Sequence, residues 1–379
     1  MSRYVPVTVV LVLMACSAAA AEQTELEWIR VGPDGADFVG ATSGERFVVW
    51  GVNYDHDDAG RLIEDYWHDE WPTIEGDFAE IRALGANVVR IHLQLGKFMT
   101  SSSEPNATEL ERLARLVDLA ERTGLYLDIT GLGCYHKADV PPWYDALDEQ
   151  ARWDVQARFW EAVARVCADS PAIFCYDLMN EPILAGKEPE TDWLAGDFAG
   201  KHFVQRICLD LDGRTRPEVA RAWVDRLVDA VRKHDARRMI TVGAIPWALS
   251  FPGAKPLFYS EEVGENLDFV AVHFYPETGK LDETLAALAV YDVGKPIVIE
   301  ETFPLKCSLD EMDTFIERSR PIVDGWISFY WGKTIEELAA RTGELRAALL
   351  GNWLEYFRDK GPALLDASGA GEETTSPRG

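Results

Sequence analysis

Basic residues are scarce in this chain: 37 lysines and arginines stand against 64 aspartates and glutamates, a formal net charge of −27. A field of that sign repels polyanions, which makes nucleic acid and anionic membrane surfaces poor partners and leaves a neutral substrate compatible. Metal-site patterns are also missing. There is no paired C-x-x-C and no H-E-x-x-H, and the first strand has no H-x-H pair. A metal-dependent hydrolase would have to gather His56, Asp57, His92, His136 and His273 by folding alone. Internal repeats are absent, and beyond the N-terminus no apolar run is long enough to span a bilayer.

The one long apolar stretch follows Arg3 and runs through 5–15. Small residues then lead to Ala21 and the acidic Glu22. That order is expected to be a secretory signal over 1–21, which makes the protein exported, secreted or periplasmic. Leu13-Met-Ala-Cys16 also fits a lipoprotein leader, which would make Cys16 a lipid anchor. Of six cysteines, five lie beyond the leader: Cys134, Cys167, Cys175, Cys208 and Cys307. Five cannot all pair. Cys167 and Cys175 sit in apolar surroundings that suit inert buried thiols, whereas Cys208 and Cys307 fall in loops of the same face and are candidates for a disulfide in an exported protein.

With 47% apolar residues over 379 positions, the chain can build one large core. Residues 28–49 alternate apolar and polar positions around two turn signals and read as a hairpin ahead of the main fold, placed to plug its floor. Near-continuous apolar runs follow at 47–53, 87–93, 125–130, 172–179, 239–243, 269–274, 296–300 and 325–331, separated by segments of helical period. The exception is 245–268, where three prolines argue against a long helix. Eight buried strands alternating with helices imply an α/β chain folded as a single (β/α)8 TIM barrel. Its domain would span 22–365, with a disordered tail at 366–379. Long connections after the first, third and fourth strands gather on the C-terminal face, where barrel enzymes build their sites. These connections carry Trp67, Trp71, Trp143 and Trp193, with Trp247 after strand five, a set suited to stacking on sugar rings.

Two glutamates close two of the buried runs, Glu181 in Asp177-Leu-Met-Asn-Glu-Pro182 and Glu301 in Pro296-Ile-Val-Ile-Glu-Glu-Thr-Phe303. Glycoside hydrolysis needs such a pair, one carboxyl protonating the leaving oxygen and one ionised to attack or to activate water. These two motifs resemble the strand-four and strand-seven motifs of glycoside hydrolase family 5, within the wider clan of retaining barrel glycosidases. The likeness runs over about 28–357. It implies that Glu181 is the general acid/base and that Glu301, not Glu300, is the nucleophile. Period-two alternation would place Glu300 and Glu301 on opposite sides of the strand.

The same resemblance implies further substrate-binding residues. Arg90 in Gly85-Ala-Asn-Val-Val-Arg90 would lie beside the nucleophile and lower its pKa. Asn180 would contact the sugar 2-hydroxyl. His273 would line the site and Tyr275 would donate to the nucleophile. Trp331 would be a sugar platform. One departure stands out: Leu127-Asp-Ile-Thr130 has threonine where the family often has histidine, so His136 or Tyr135 is expected to take over that contact. The implied activity is hydrolysis of β-linked glucan- or mannan-type oligo- or polysaccharides by double displacement, with no cofactor. A non-catalytic carbohydrate-binding protein on the same scaffold is the alternative.

Overall fold

The computed structural model describes residues 25–329 and 331–366. The expected leader, with Cys16, and the expected tail beyond Asp366 lie outside these residues. The barrel strands are β1 (Val49–Asn53), β2 (Val88–Gln94), β3 (Tyr126–Gly133), β4 (Ile173–Asp177), β5 (Met239–Thr241, resuming at Gly243–Ala244), β6 (Val270–His273), β7 (Ile297–Thr302) and β8 (Gly325–Ser328). All neighbours pair in parallel. β8 closes onto β1 with Trp326 opposite Trp50, and the two halves of β5 pair with β4 and β6 respectively, so the ring is complete. The expected TIM barrel is therefore present. The break in β5 is bridged by one hydroxyl: Tyr259 donates to the Val242 carbonyl and accepts from the amides of Val242 at 3.2 Å and Ala271 at 2.9 Å.

Around the strands run α1 (Trp71–Ala83), α2 (Ala107–Thr123), α3 (Glu149–Cys167), α4 (Arg216–Arg232), α5 (Leu281–Ala289), α6 (Leu309–Ser319) and α7 (Leu345–Asp366). Local chemistry sets several of their ends. Thr215 with Glu218, and Ser308 with Glu311, form reciprocal capping boxes at the starts of α4 and α6. Between β5 and β6 there is no long helix, only a four-residue turn of helix at Trp247–Ser250 and a 3-10 turn at Gly264–Asn266, as the prolines predict.

The barrel interior divides into two levels. The lower is apolar, with Val49, Val88, Tyr126, Met239, Phe269 and Val298 pointing inward. It is closed from below by a three-stranded sheet, Ile29–Val31, Phe38–Gly40 and Arg46–Phe47. This is the expected plug. Phe38, fully buried, meets the rings of Phe174 at 5.2 Å and Phe269 at 5.3 Å, both edge-on. The upper level is polar and carries the site.

The expected disulfide does not form: Cys208 and Cys307 are both free thiols. Cys208 is buried under the loop after β4, where the Ala185 backbone lies against it, while Cys307 sits partly buried just before α6. Shared position on one face did not bring the two sulfurs together.

Phe38→Ala should lower the unfolding free energy by ~3–5 kcal/mol, the usual cost of a buried phenylalanine cavity. Urea titration of the two proteins checks it.

Candidate active site

The site is organised around Arg90, which projects from β2 into the barrel and is fully buried. Its Nη1 donates to Asn53 Oδ1 at 3.0 Å and to Glu301 Oε1 at 2.8 Å. Its Nη2 donates to Asp177 Oδ2 at 2.8 Å and to Asn180 Oδ1 at 2.9 Å, and lies 3.4 Å from Glu300 Oε2. Burial alone would lower the guanidinium's pKa, but Glu300, Asp177 and Glu301 raise it well above its ordinary value, so it stays charged.

Glu300 and Glu301 both face inward, contrary to the alternation expected for adjacent strand residues. The register between β7 and β8 shifts between Ile299 and Thr302, and β6 pairs Val272 with Ile299 but His273 with Glu301. This bulge inserts one extra residue and turns both side chains to the axis. Glu300, fully buried, occupies the deeper position, close to Arg90 and 3.6 Å from His273 Nε2. Burial favours its protonation, yet Arg90 and His273 hold its carboxyl below the usual value. Asp128 on β3 is pushed well above its ordinary value by burial and by the charge of Glu300, which leaves the proton of this pair on Asp128.

Glu301 reaches the cleft. Besides Arg90, it accepts from Tyr275 Oη at 2.7 Å, the contact expected from the sequence. The expectation that Arg90 lowers its pKa holds for that contribution only. Burial is the larger influence and pushes the carboxyl up; His273 and Arg90 pull it back, Glu181 adds to the rise, and the Tyr275 bond opposes it. Across the cleft, Glu181 has a left-handed backbone with φ 48°, rare for a residue with a side chain. Its amide is pinned to the Gly243 carbonyl at 2.8 Å, and its Oε1 meets His273 Nδ1 at 2.9 Å. Oxygens of Glu181 and Glu301 and a nitrogen of His273 lie within 4.8 Å of one another.

His273 thus stands between three carboxylates. Burial pulls its pKa down, but Glu301, Glu181 and Glu300 push it up to about 10. The imidazole is a cation at neutral pH and donates from Nδ1. His92 on β2 is the opposite case: burial and Arg90 drive it well below its ordinary value, so it is neutral, with Nε2 donating to Asn53 Oδ1 at 3.1 Å and Nδ1 accepting from Tyr135.

Sequence reading placed Glu181, Glu301, Arg90, Asn180, His273 and Tyr275 together, and they are together. It misplaced two others. Trp331 is buried near Glu80, Leu84 and Arg358, away from the glutamates, and Phe329 lines the cleft instead. His136 borders a separate small cavity with Gln94 and Cys134, while its neighbour Tyr135 turns inward to His92. Thr130, in the histidine slot, donates to Asp177 Oδ2 at 2.8 Å and so supports the Arg90 network. None of the five loop tryptophans lines the cleft: Trp67, Trp71 and Trp193 are core residues, and Trp247 borders a different pocket. The aromatic walls are Phe198, Phe203, Phe303 and Phe329. Nor do His56, Asp57, His92, His136 and His273 gather into a metal site. Among the described residues, the one cluster able to hold an ion is Glu181, His273 and Glu301.

Glu300, expected to be held by a polar partner behind the site, lies beside Arg90 and His273. Asn53, Asp128 and Gly243 were not singled out for the roles they play. Their signal lay in polar or small residues at inward period-two positions of otherwise apolar strands. Gly243 matters by what it lacks. A Cβ there would stand 2.7 Å from Glu300 Oε2 and 3.0 Å from both Arg90 Nη2 and Asp177 Oδ2. Its amide donates to Asp177 Oδ1 at 2.7 Å.

A family model described as Cellulase (glycosyl hydrolase family 5) matches residues 43–314. Mannan endo-1,4-beta-mannosidase A of Emericella nidulans is 24% identical over 238 residues, 56% of this chain and 53% of that protein. The chain spans about half the length of the curated relatives it matches. Among solved structures, an exo-beta-1,4-mannosidase from Opitutaceae bacterium strain TAV5 superposes with a TM-score of 0.63 at 16% identity, covering 88% of this chain and 62% of that one. The catalytic domain of a Thermobifida fusca endoglucanase gives 0.56 at 16% identity, covering 88% and 96%. At these identities the superpositions speak for the shared barrel.

Gly243→Ala should cost ~1–3 kcal/mol through overpacking at the charge cluster, read as a lowered thermal midpoint. The His273 pKa is raised on folding, so its stabilisation is complete below about pH 6.5 and is lost as pH rises through about 10. The gap in unfolding free energy between the native protein and His273→Gln should therefore be widest in mild acid and narrow steadily toward pH 10.

Proposed function

Because the chain belongs to glycosyl hydrolase family 5, we propose that it hydrolyses β-linked glucosyl or mannosyl bonds by double displacement, with Glu301 as nucleophile and Glu181 as general acid/base. The observation that carries this reading is the approach of one oxygen of each carboxylate to within 4.8 Å of the other, across the cleft that both line. Retaining glycosidases hold theirs about 5–5.5 Å apart, whereas inverting enzymes need about 6.5–9.5 Å to admit a water. Mannan stands in the name of the Emericella nidulans relative, and β-mannosyl and β-glucosyl linkages are the bond classes this assigns.

Glu301 Oε2 attacks the anomeric carbon as its bond to the leaving oxygen breaks, and Glu181 gives that oxygen its proton. Glu181 then takes a proton from water, whose oxygen displaces Glu301 and returns the sugar with its β configuration retained. Arg90 and Tyr275 each occupy one oxygen of Glu301 and fix its orientation for attack. The His273 cation, 2.9 Å from Glu181 and 3.5 Å from Glu301, holds both carboxylates in register and compensates charge as the proton moves. Asn180, held by Arg90 and by a 3.0 Å bond to the Phe203 carbonyl, presents its amide beside the acid/base for the sugar 2-hydroxyl. An exported location, free or lipid-anchored at Cys16, fits the leader read from the sequence. No helix among the described residues is long and apolar enough to cross a membrane.

On a panel of β-linked gluco- and manno-oligosaccharides, Glu301→Ala should reduce turnover on the order of 10⁴-fold or more. Glu181→Ala should slow poor leaving groups by roughly 10²–10⁴-fold and spare activated aryl glycosides. NMR of fresh product should show the β anomer first. Initial α anomer would overturn retention, and saccharide binding without turnover in the native protein would select the non-catalytic reading.

A further inference from the structure

The cleft of about 610 Å³ that contains Glu181 and Glu301 is walled mainly by hydrocarbon. Phe198 comes from the loop after β4, Leu305 from the loop after β7, and Leu345 and Leu349 from α7. They are 62%, 58%, 75% and 57% exposed. Among the described residues only seven large apolar side chains are exposed, and these four of them share this one cleft. Single exposed apolar residues need no explanation, but a contiguous group on a chain of net charge −27 marks a binding surface.

The chemistry of that surface differs from what a saccharide chain requires. Each sugar ring presents hydroxyl edges that need donors and acceptors, and away from Asn180, Tyr275 and the two glutamates the described residues of the cleft offer only the side chains of His56 and Arg346. Two of the aromatic walls stand at the sugar end, Phe203 beside Asn180 and Phe329 at 5.9 Å from the Tyr275 ring, whereas Leu305, Leu345 and Leu349 give no flat ring on which to stack further sugars and the loop tryptophans are elsewhere. An alkyl chain or a fused hydrocarbon ring asks for what is there: wide apolar walls without hydrogen-bonding obligations. The surface is continuous with the glutamates, so an apolar group joined to a sugar would lie on it while the sugar sits between them.

We propose that the substrate is a β-glycoside with a hydrocarbon leaving group, an alkyl chain or fused-ring alcohol, that lies against Phe198, Leu305, Leu345 and Leu349 while its sugar reaches Glu181 and Glu301. This rests on the reading of those glutamates as the catalytic pair. Hydrolysis breaks the bond between the anomeric carbon and the alcohol oxygen; the alcohol leaves with the proton of Glu181, and water supplies the hydroxyl of the released sugar.

Methyl, butyl, hexyl and octyl β-mannosides and β-glucosides, each below its critical micelle concentration, provide the test. Each methylene buried in an apolar site is worth roughly fourfold, about 0.8 kcal/mol. Even with partial burial, kcat/KM should rise at least 100-fold from methyl to octyl, chiefly through KM. Leu349→Asp, and separately the milder Leu349→Ser, should bring the octyl compound to within a few-fold of the methyl one. Both variants alter a solvent-facing side chain, and unchanged circular dichroism and thermal midpoint confirm the fold. A flat chain-length series alongside turnover of oligosaccharides would overturn this inference and leave the catalytic pair standing. No turnover of any β-glycoside would remove the catalytic reading as well. A flat series accompanied by a concentration-dependent dimer that Leu349→Asp abolishes would assign the surface to a second copy of the chain and likewise overturn the proposal.

Discussion

One buried guanidinium sets the terms for the upper half of this barrel. Arg90 lies inside a ring of strands and touches side chains from β1, β4 and β7, together with Asn180 beyond β4. Desolvating a guanidinium costs several kcal/mol, and only well-placed partners offset it. Each partner is therefore constrained. Glu301 cannot swing away without unpairing Arg90, and Asp177 is held in turn by Thr130 and the Gly243 amide. The position of the cleft glutamate follows from the demand of a charge beneath it.

That demand also explains the two levels of the interior. The lower half is filled with apolar side chains and sealed by the Phe38 plug, so water does not compete for the charges above it from below. In such surroundings each ion pair is stronger than at the surface, and each unpaired group is costlier. The Asp128–Glu300 pair shows the compromise: two carboxyls share the deepest position, with a proton on one and the other left to balance Arg90 and His273.

The barrel was legible because its strands are long apolar runs and its helices keep a 3.6 period, both local patterns. Glu181, Asn180 and Tyr275 were legible for a related reason: they stand at strand ends, where a polar residue after an apolar run faces the open mouth. Trp331 and the loop tryptophans were not. A tryptophan in a long loop packs as readily beneath the loop as above it, and Trp67 and Trp193 took the buried choice. Nor could spacing separate Glu300 from Glu301, since a bulge is a departure from the very alternation used to assign faces. The disulfide failed similarly, because two loops on one face can lie far apart around a ring of eight strands.

The bulge in β7 separates the count of residues from their identity. Two neighbouring carboxylates, one serving the interior charge and one the cleft, share the barrel axis only because the strand carries one residue more than its partners can match. A substitution changes which group sits at each position, while the extra residue in the strand decides that both positions look inward. The walls of the cleft are thus a matter of which side chains are present, and its floor a matter of how many residues the strand holds.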